Sequence, residues 1–383
     1  MSAHNLAIWE AAHRQPVAAR VAIAGDFLPA GKVAFPPDCD WGSLARRLVG
    51  HFEDIGASLV NLEAALDAQG LAPRTLSGIG EIVSAPDSTL EYLRAIRTCA
   101  VGIANNHSFD FGDAGVERTR LAISRHGLIP LGAGRTLSDP PEVFVWQGPG
   151  DIRVGFWAAA KAILDPATDS SSGVEPATRA RARQAIESMK SQGAQTCIAL
   201  LHAGCLRTNR PDPEDVRLVD SLARHGFDVC AASHSHRISG FRQLGNQFGR
   251  PSFCFYGLGT LVSGYATGPL EREGLIVVAG LSERGELLRM ELRPVLLDES
   301  GLGNIPSPEM SREILIRFGQ LSNEIADGSF ERLFYRDVSQ GLLRLYGRDV
   351  KAACRQAGIR GLARKIRRVR VRHIRRLIHS VVG

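Results

Sequence analysis

No apolar run in this chain approaches the roughly 18–20 residues that a bilayer span requires. The segment from Met1 to Val17 carries His4, Glu10, His13 and Arg14 and has no apolar signal-peptide core. Both absences point to a cytoplasmic protein. A disulfide framework is also missing: the 7 cysteines are odd in number and irregular in spacing. Cys197, Cys230 and Cys254 instead stand inside apolar runs, where a thiol behaves as a small hydrophobe. There is no internal repeat. With 44% hydrophobic and 22% charged residues the chain is globular, and 383 residues suffice for one large or two ordinary domains.

Acidic residues are absent from one stretch. Arg360, Arg364, Lys365, Arg367, Arg368, Arg370, Arg372, Arg375 and Arg376 follow one another without a counter-charge. Without these nine, the net charge of +6 becomes −3, so the body is mildly acidic and the basic character is local. Ile359, Leu362, Ile366, Val369, His373, Leu377 and Val381 recur at helical spacing beneath the basic residues. This pattern predicts an amphipathic helix docked on the body, on an anionic membrane surface, or on an acidic peptide. Nothing else in the chain supports nucleic-acid binding.

What the chain does have is a set of apolar runs, each ending in polar side chains. Val21 to Asp26, Leu59 to Glu63, Val101 to His107, Cys197 to His202 and Val229 to His236 all read as strands. Helical periods lie between and around them, at Trp41 to Ile55, Pro86 to Cys99, Gly115 to His126, Ala177 to Gln192 and Pro213 to His225. This alternation predicts an α/β fold with a mostly parallel sheet covered by helices. After Gly249 the pattern changes. Ser252 to Val262, Gly274 to Ala279 and Leu287 to Leu297 read as strands of a second sheet, the last two joined by a hairpin at Ser282–Gly285. From Glu309 onward the chain reads as helical. The expected division is therefore 1–298 for the main domain and 299–383 for a helical C-terminal extension with a basic amphipathic tail.

In open α/β sheets, sites form beyond the carboxyl ends of the strands. The run ends supply oxygen and imidazole donors suited to a divalent ion such as Mn, Zn, Fe or Ca. Taken singly, Asp26 could cap a turn, Glu63 is a weak signal, and the loop from Ser108 to Gly112 could be an ordinary turn. His234 and His236 form the sharpest pair, because alternate residues of an extended segment face one side.

The ordered set Gly25-Asp26, Asn61-Leu62-Glu63, Asn105-Asn106-His107 with Asp110 and Gly112, His202-Ala-Gly204, His234-Ser-His236 and Tyr256-Gly-Leu-Gly259 resembles the CapA family. That family is linked to poly-γ-glutamate capsule synthesis and has the calcineurin-like metallophosphoesterase fold. The resemblance runs from about Arg20 to Leu297. It implies a β-sandwich flanked by helices, with Asp26, Glu63, Asn106, His202, His234 and His236 as metal ligands and His107 beside the metal as an acid or base. The chain departs from the wider phosphoesterase pattern at Phe27 and Leu28, which follow Asp26 where an Asp-x-His motif is usual. It departs from the family's own pattern, His-Trp-Gly followed by a Glu, at His202-Ala-Gly-Cys-Leu206, where there is no acid. Fewer ligands leave one or two ions open, and put phosphate clamping by two metals in question.

Three activities follow. A soluble CapA-like branch epimerises a residue of a lasso-peptide precursor, and the missing anchor favours that reading here: a peptide or polyglutamate-like substrate loses a Cα proton beside a metal. Such chemistry needs an acid and a base on opposite faces. His107 suits one role, and Asp110 and Cys205 are candidates for the other. The alternatives are a capsule or poly-γ-glutamate role at an amide bond, and phosphoester hydrolysis. A peptide-binding module without catalysis is a fourth.

Overall fold

The apolar runs assemble into two sheets laid face to face. In the computed structural model, residues 6–339 are described, apart from 13–14, 32–38, 75–80, 162–164 and 267. The basic segment 360–376 and the amphipathic pattern 359–381 lie outside the described residues.

The first sheet contains β1 (Leu6–Glu10), β2 (Ala19–Gly31), β3 (Ala57–Leu62), β4 (Thr98–Gly102) and β5 (Ile129–Leu131). The second contains β6 (Val143–Gln147), β7 (Arg153–Ala160), β8 (Thr196–His202), β9 (Val229–Ser233), β10 (Phe241–Gly245) and β11 (Pro251–Phe255). The chain then returns to the first sheet with β12 (Thr260–Gly264), β13 (Glu273–Leu281) and β14 (Leu287–Leu297). Strand order is β1-β14-β13-β2-β3-β4-β5 in the first sheet, with β12 also on β2, and β10-β11-β9-β8-β7-β6 in the second. In each sheet four consecutive neighbours run parallel: β2, β3, β4 and β5 in one, β7, β8, β9 and β11 in the other.

The expected boundary between the sheets, at Gly249, is therefore corrected. The late strands complete the first sheet, and the second is built from the middle of the chain. The segment Ser252 to Val262 is two strands in different sheets, broken at Tyr256-Gly257-Leu258-Gly259. Nor does Asp26 end its strand, since β2 runs on to Gly31 past a register shift at Gly25. The helix expected from Pro86 to Cys99 stops early: α2 is Leu90–Ala95, and Cys99 belongs to β4.

Side-chain alternation explains the layers. In β7, β8, β9 and β11, Phe156, Ile198, Leu200, Val229, Ala231, Phe253 and Phe255 point into the core between the sheets. Their neighbours Trp157, Cys197, Leu201, Cys230, Ala232 and Cys254 point the other way. There they are covered by α4 (Arg179–Ser191) and α5 (Pro213–Arg224) through residues such as Ile186, Met189, Val216 and Leu222. Strands buried on both faces read as continuous apolar runs. The three cysteines thus pack as small hydrophobes, and burial pushes the Cys197 thiol up to about 12.

The other sheet is flanked by α1 (Trp41–Val49), α2 and α3 (Gly112–Arg125). The last of these ends at Gly127, whose φ of +74° suits a residue without Cβ. α5 starts with Asp212 accepting the Glu214 amide at 3.0 Å and Pro213 in the first turn. α6 (Pro308–Asp327), which lies past the expected boundary at 298, sends Ile314, Phe318 and Leu321 into the core between the sheets. Phe318 stacks on Phe241 with ring centroids 5.6 Å apart. Residues 330–339 are again helical. No helix among the described residues is long and apolar enough to cross a membrane.

Candidate metal centre

The carboxyl ends of both parallel sets meet at one edge of the sandwich. From the first sheet come Asp26 in β2, Asn61 and Glu63 at the end of β3, and the loop 103–111 after β4. From the second come His202, the last residue of β8, and His234 and His236 beyond β9. Asp26, Glu63, His202 and His234 are all buried.

Two glycines let Asp26 reach this place. A Cβ at Gly25 would lie 2.2 Å from the Gly259 carbonyl oxygen, which accepts the Asp26 amide at 3.1 Å. Gly259 itself has φ +67°, and a Cβ there would lie 2.2 Å from the Glu273 carbonyl oxygen. The backbones of β2, β12 and β13 close on one another here, which accounts for Gly25-Asp26 and Gly257-Leu-Gly259 in the sequence.

Asp26 organises the cluster. Its Oδ1 accepts from Asn61 Nδ2 at 2.7 Å; its Oδ2 accepts from the His234 amide at 3.1 Å and lies 3.0 Å from His236 Nδ1. Asn61 Nδ2 also lies 3.3 Å from His202 Nδ1, and Asn61 Oδ1 accepts from Asn105 Nδ2 at 3.2 Å. Asn106 Oδ1 is 2.6 Å from His202 Nε2. Asn61 and Asn105 thus fix the donors without belonging to the predicted set. The signal for Asn61 was available: it stands two residues before Glu63, on the same side of an extended strand.

Glu63 sits among three imidazoles but bonds to none. Its carboxylate lies 3.5 Å from His202 Nε2, 3.7 Å from His236 Nδ1 and 4.0 Å from His234 Nδ1. Both Glu63 oxygens and His234 Nδ1 are buried without a hydrogen-bond partner. Buried polar atoms are ordinarily satisfied, so three orphans at one point call for a ligand. The donors form two groups that share Glu63: Glu63, His202 and His234 in one, Asp26, Glu63 and His236 in the other. Within each group the donor atoms lie within 4.8 Å of one another. A divalent ion fits the chemistry of this mixed carboxylate–imidazole set, and the shared Glu63 suits either one ion or two. Cys205, on the loop after β8, joins neither group.

The electrostatics agree. Burial is the largest single effect on the Asp26 and Glu63 carboxyls and would raise them, but His236, His202 and the neighbouring hydrogen bonds together outweigh it and hold both below the usual range, with a direct hydrogen bond from His236 to Asp26. Burial pushes His202 down to about 3, so its ring is neutral and has a lone pair to offer. For His236, burial acts downward but the Glu63 and Asp26 charges prevail and lift it to about 9.

His234 and His236 converge for a reason other than strand alternation, and the expectation is corrected here. Their φ values are +114° and +55°, in a loop past the end of β9. Left-handed backbone, anchored by the His234 amide on Asp26, turns the rings inward.

Beside the donors, His107 Nδ1 lies 2.8 Å from Asp110 Oδ2, and its Nε2 faces Glu63 at 4.0 Å. Asp110 Oδ2 also accepts the Val83 amide at 2.7 Å, which fixes the carboxylate. Burial opposes the charge on His107, but the Asp110 hydrogen bond and the Glu63 charge raise its pKa.

The family model described as bacterial capsule synthesis protein PGA_cap matches residues 20–265. The chain belongs to this family. The matched span of the PGA_cap family covers every donor named above. The capsule biosynthesis protein CapA of Bacillus anthracis is 25% identical over 185 residues, 47% of this chain and 44% of that protein. The PGA biosynthesis protein CapA of Bacillus subtilis is 23% identical over 235 residues, 60% of this chain and 59% of that one. The chain therefore spans about half the length of the curated relatives it matches. Among solved structures, the calcineurin-like phosphoesterase YfkN of Bacillus subtilis superposes with a TM-score of 0.42 at 14% identity, over 80% of this chain and 98% of that one. The NAD nucleotidase NadN of Haemophilus influenzae gives 0.44 at 13%, over 79% and 56%. At these scores the likeness says nothing of the chemistry at the site.

Proposed function

We propose that this protein is a divalent-metal-dependent enzyme that cleaves or transfers at an amide bond of a carboxylate-rich, peptide-like polymer of the poly-γ-glutamate class. The observation that carries this reading is Glu63: two buried, unpaired oxygens among three imidazoles, with the His107–Asp110 pair against them. Membership of the capsule synthesis family supports the substrate class.

Asp26, Glu63, His202, His234 and His236 would hold the ion, with Asn106 placed on it through His202. A bound divalent ion polarises a carbonyl oxygen and lowers the pKa of water. The chain's own residues supply the proton. Asp110 engages His107 at Nδ1 and leaves Nε2 facing the centre. In hydrolysis the amide C–N bond breaks, water gives its hydroxyl to the carbonyl carbon, the departing nitrogen takes a proton from His107 Nε2, and the proton released by the water returns to His107. Asn61 and Asn105 keep the donors in register meanwhile. Epimerisation at Cα asks for a second acid–base group on the opposite face.

The test is incubation of the Mn²⁺-loaded protein with poly-γ-glutamate, followed by size-exclusion chromatography. Shortened or redistributed chains are expected. Deuterium uptake at Cα of a peptide with no change in length would replace this reading with epimerisation. Turnover of a generic phosphodiester at kcat/KM of ~10⁴ M⁻¹s⁻¹ or more would replace it with phosphoester hydrolysis. Binding without any turnover would leave a recognition module.

A further inference from the structure

Two arginines and one carboxylate border the centre on the side of His236. Arg237 follows His236 directly; its terminal nitrogens lie 3.1 Å from Glu271 Oε1 and 3.4 Å from Asn209 Oδ1. Its Nε is buried with no acceptor. Arg207, on the loop after β8, reaches the same Glu271 oxygen with its Nε at 3.6 Å, and its side chain is 64% exposed. Glu271 is buried and close enough for its charge to be felt at His236. One carboxylate is thus shared by two guanidiniums.

Stability does not explain this arrangement. An ion pair as exposed as that of Arg207 contributes about 0–1 kcal/mol. Meanwhile Arg207 has φ +61°, held by its amide donating to the Ser235 carbonyl at 2.9 Å, between the two histidines. Of the six non-glycine residues with positive φ among the described residues, Arg207, His234 and His236 are three, and all border one loop contact. Left-handed backbone away from glycine costs of order 1 kcal/mol or more per residue and gathers at sites. Here it brings a guanidinium fork to the rim of the centre, with Nε tied to Glu271 and the outer nitrogens directed to no other partner among the described residues. A planar fork of this kind matches a carboxylate in bidentate fashion.

We propose that Arg207 and Arg237, positioned by Glu271, form a subsite that binds a side-chain or terminal carboxylate of the substrate beside the centre. The inference rests on the reading of that centre as the place of reaction, and it names the feature of the substrate that is recognised. A polymer of γ-linked glutamate carries such a carboxylate on every unit.

The test is calorimetric titration of the full-length, Mn²⁺-loaded protein with a γ-linked glutamate tripeptide and with its fully esterified form. Arg207→Ala is expected to weaken tripeptide binding by about tenfold or more, as loss of a charge-assisted hydrogen bond implies. Its affinity for the ester should match wild type, and Arg207→Lys should restore only part of the loss. Elemental analysis should show the same metal content in all three proteins. Equal tripeptide affinity in wild type and Arg207→Ala overturns the subsite, as does failure of wild type to bind the tripeptide. Displacement by inorganic phosphate but not by glutarate overturns the carboxylate assignment. If the tripeptide binds through Arg207 while the polymer is never cut, the subsite stands and the proposed reaction falls. If the polymer is cut with equal KM by wild type and Arg207→Ala, the reverse holds.

Discussion

Replacing Glu63 by Gln tests the metal centre most directly. The substitution keeps the side-chain volume and removes the only carboxylate shared by the two donor groups. Asp26 is a poorer probe. Its oxygens hold the Asn61 amide, the His234 backbone and His236, so Asp26→Ala strands buried donors and costs about 3–5 kcal/mol of stability by itself. An ion that binds only the folded chain adds about 2.7 kcal/mol when its free concentration is 100 times Kd. For 383 residues the unfolding entropy is about 0.8 kcal/mol per kelvin, so the melting midpoint should rise by about 3 °C. Loss of a ligand weakens affinity at least as much as loss of its supporting partner, for which ~100-fold is the upper figure. At the same metal concentration Glu63→Gln then gains only about 0.4 kcal/mol, or about 0.5 °C. The assay is differential scanning calorimetry of chelator-treated protein, with and without Mn²⁺, each variant read against its own metal-free baseline. If Glu63→Gln keeps the full rise and the wild-type metal content, the orphaned oxygens are not ligands and the argument from them fails.

Three further outcomes follow from the same geometry. His236 titrates near 9 when its neighbours are ionised, so metal binding at neutral pH should release about one proton and tighten as pH rises toward 9; the buffer dependence of the binding heat measures it. His107→Ala should lower kcat by about 10²–10⁴ while leaving the metal bound, since His107 belongs to neither donor group. Deleting residues 360–383 should lower the melting midpoint and peptide affinity with the metal retained, whereas loss of liposome binding alone would assign the basic segment to a membrane surface.

Most of the clustered side chains could be read in the sequence because they close or directly follow runs that are buried on both faces. Thr196–His202 and Val229–Ser233 are buried throughout and mostly apolar, and a polar side chain at the end of such a run has few structural uses. The pairing of strands was not legible in the same way. β13 lies against β2 with Val277 opposite Ile23, a contact between segments some 250 residues apart for which local pattern holds no information. The break inside Ser252 to Val262 did have a signal, since glycines within a strand mark a bend or a close backbone approach. Asp26 misled for a related reason. Gly25-Asp26 looks like a strand end, yet the glycine is there so that the Gly259 carbonyl can approach a strand that continues. β1, β5, β6, β7 and β10 have no counterpart among the expected strands, although Arg153–Ala160 is nearly all buried.

The donor set divides by sheet, and that division explains why the site exists only in the assembled sandwich. Asp26 and Glu63 belong to the first sheet, and alone they repel: the Asp26 charge works against ionisation of Glu63. His202, His234 and His236 come from the second. Only when the sheets face each other do the imidazoles offset the paired carboxylates, and only then does Asp26 hold the His234 backbone in its left-handed turn. Gly102, whose missing Cβ would meet Leu200 Cδ2 at 3.1 Å, marks how closely β4 and β8 pack behind the donors. A small shift between the sheets therefore acts on the donor spacing before it acts on the core, because a packed interior tolerates repacking that a donor cluster does not. Gly102→Ala should accordingly reduce metal affinity by more than its effect on the melting midpoint of the metal-free protein would suggest. Equal, small effects on both would mean that the edge of the sandwich adjusts independently of its core.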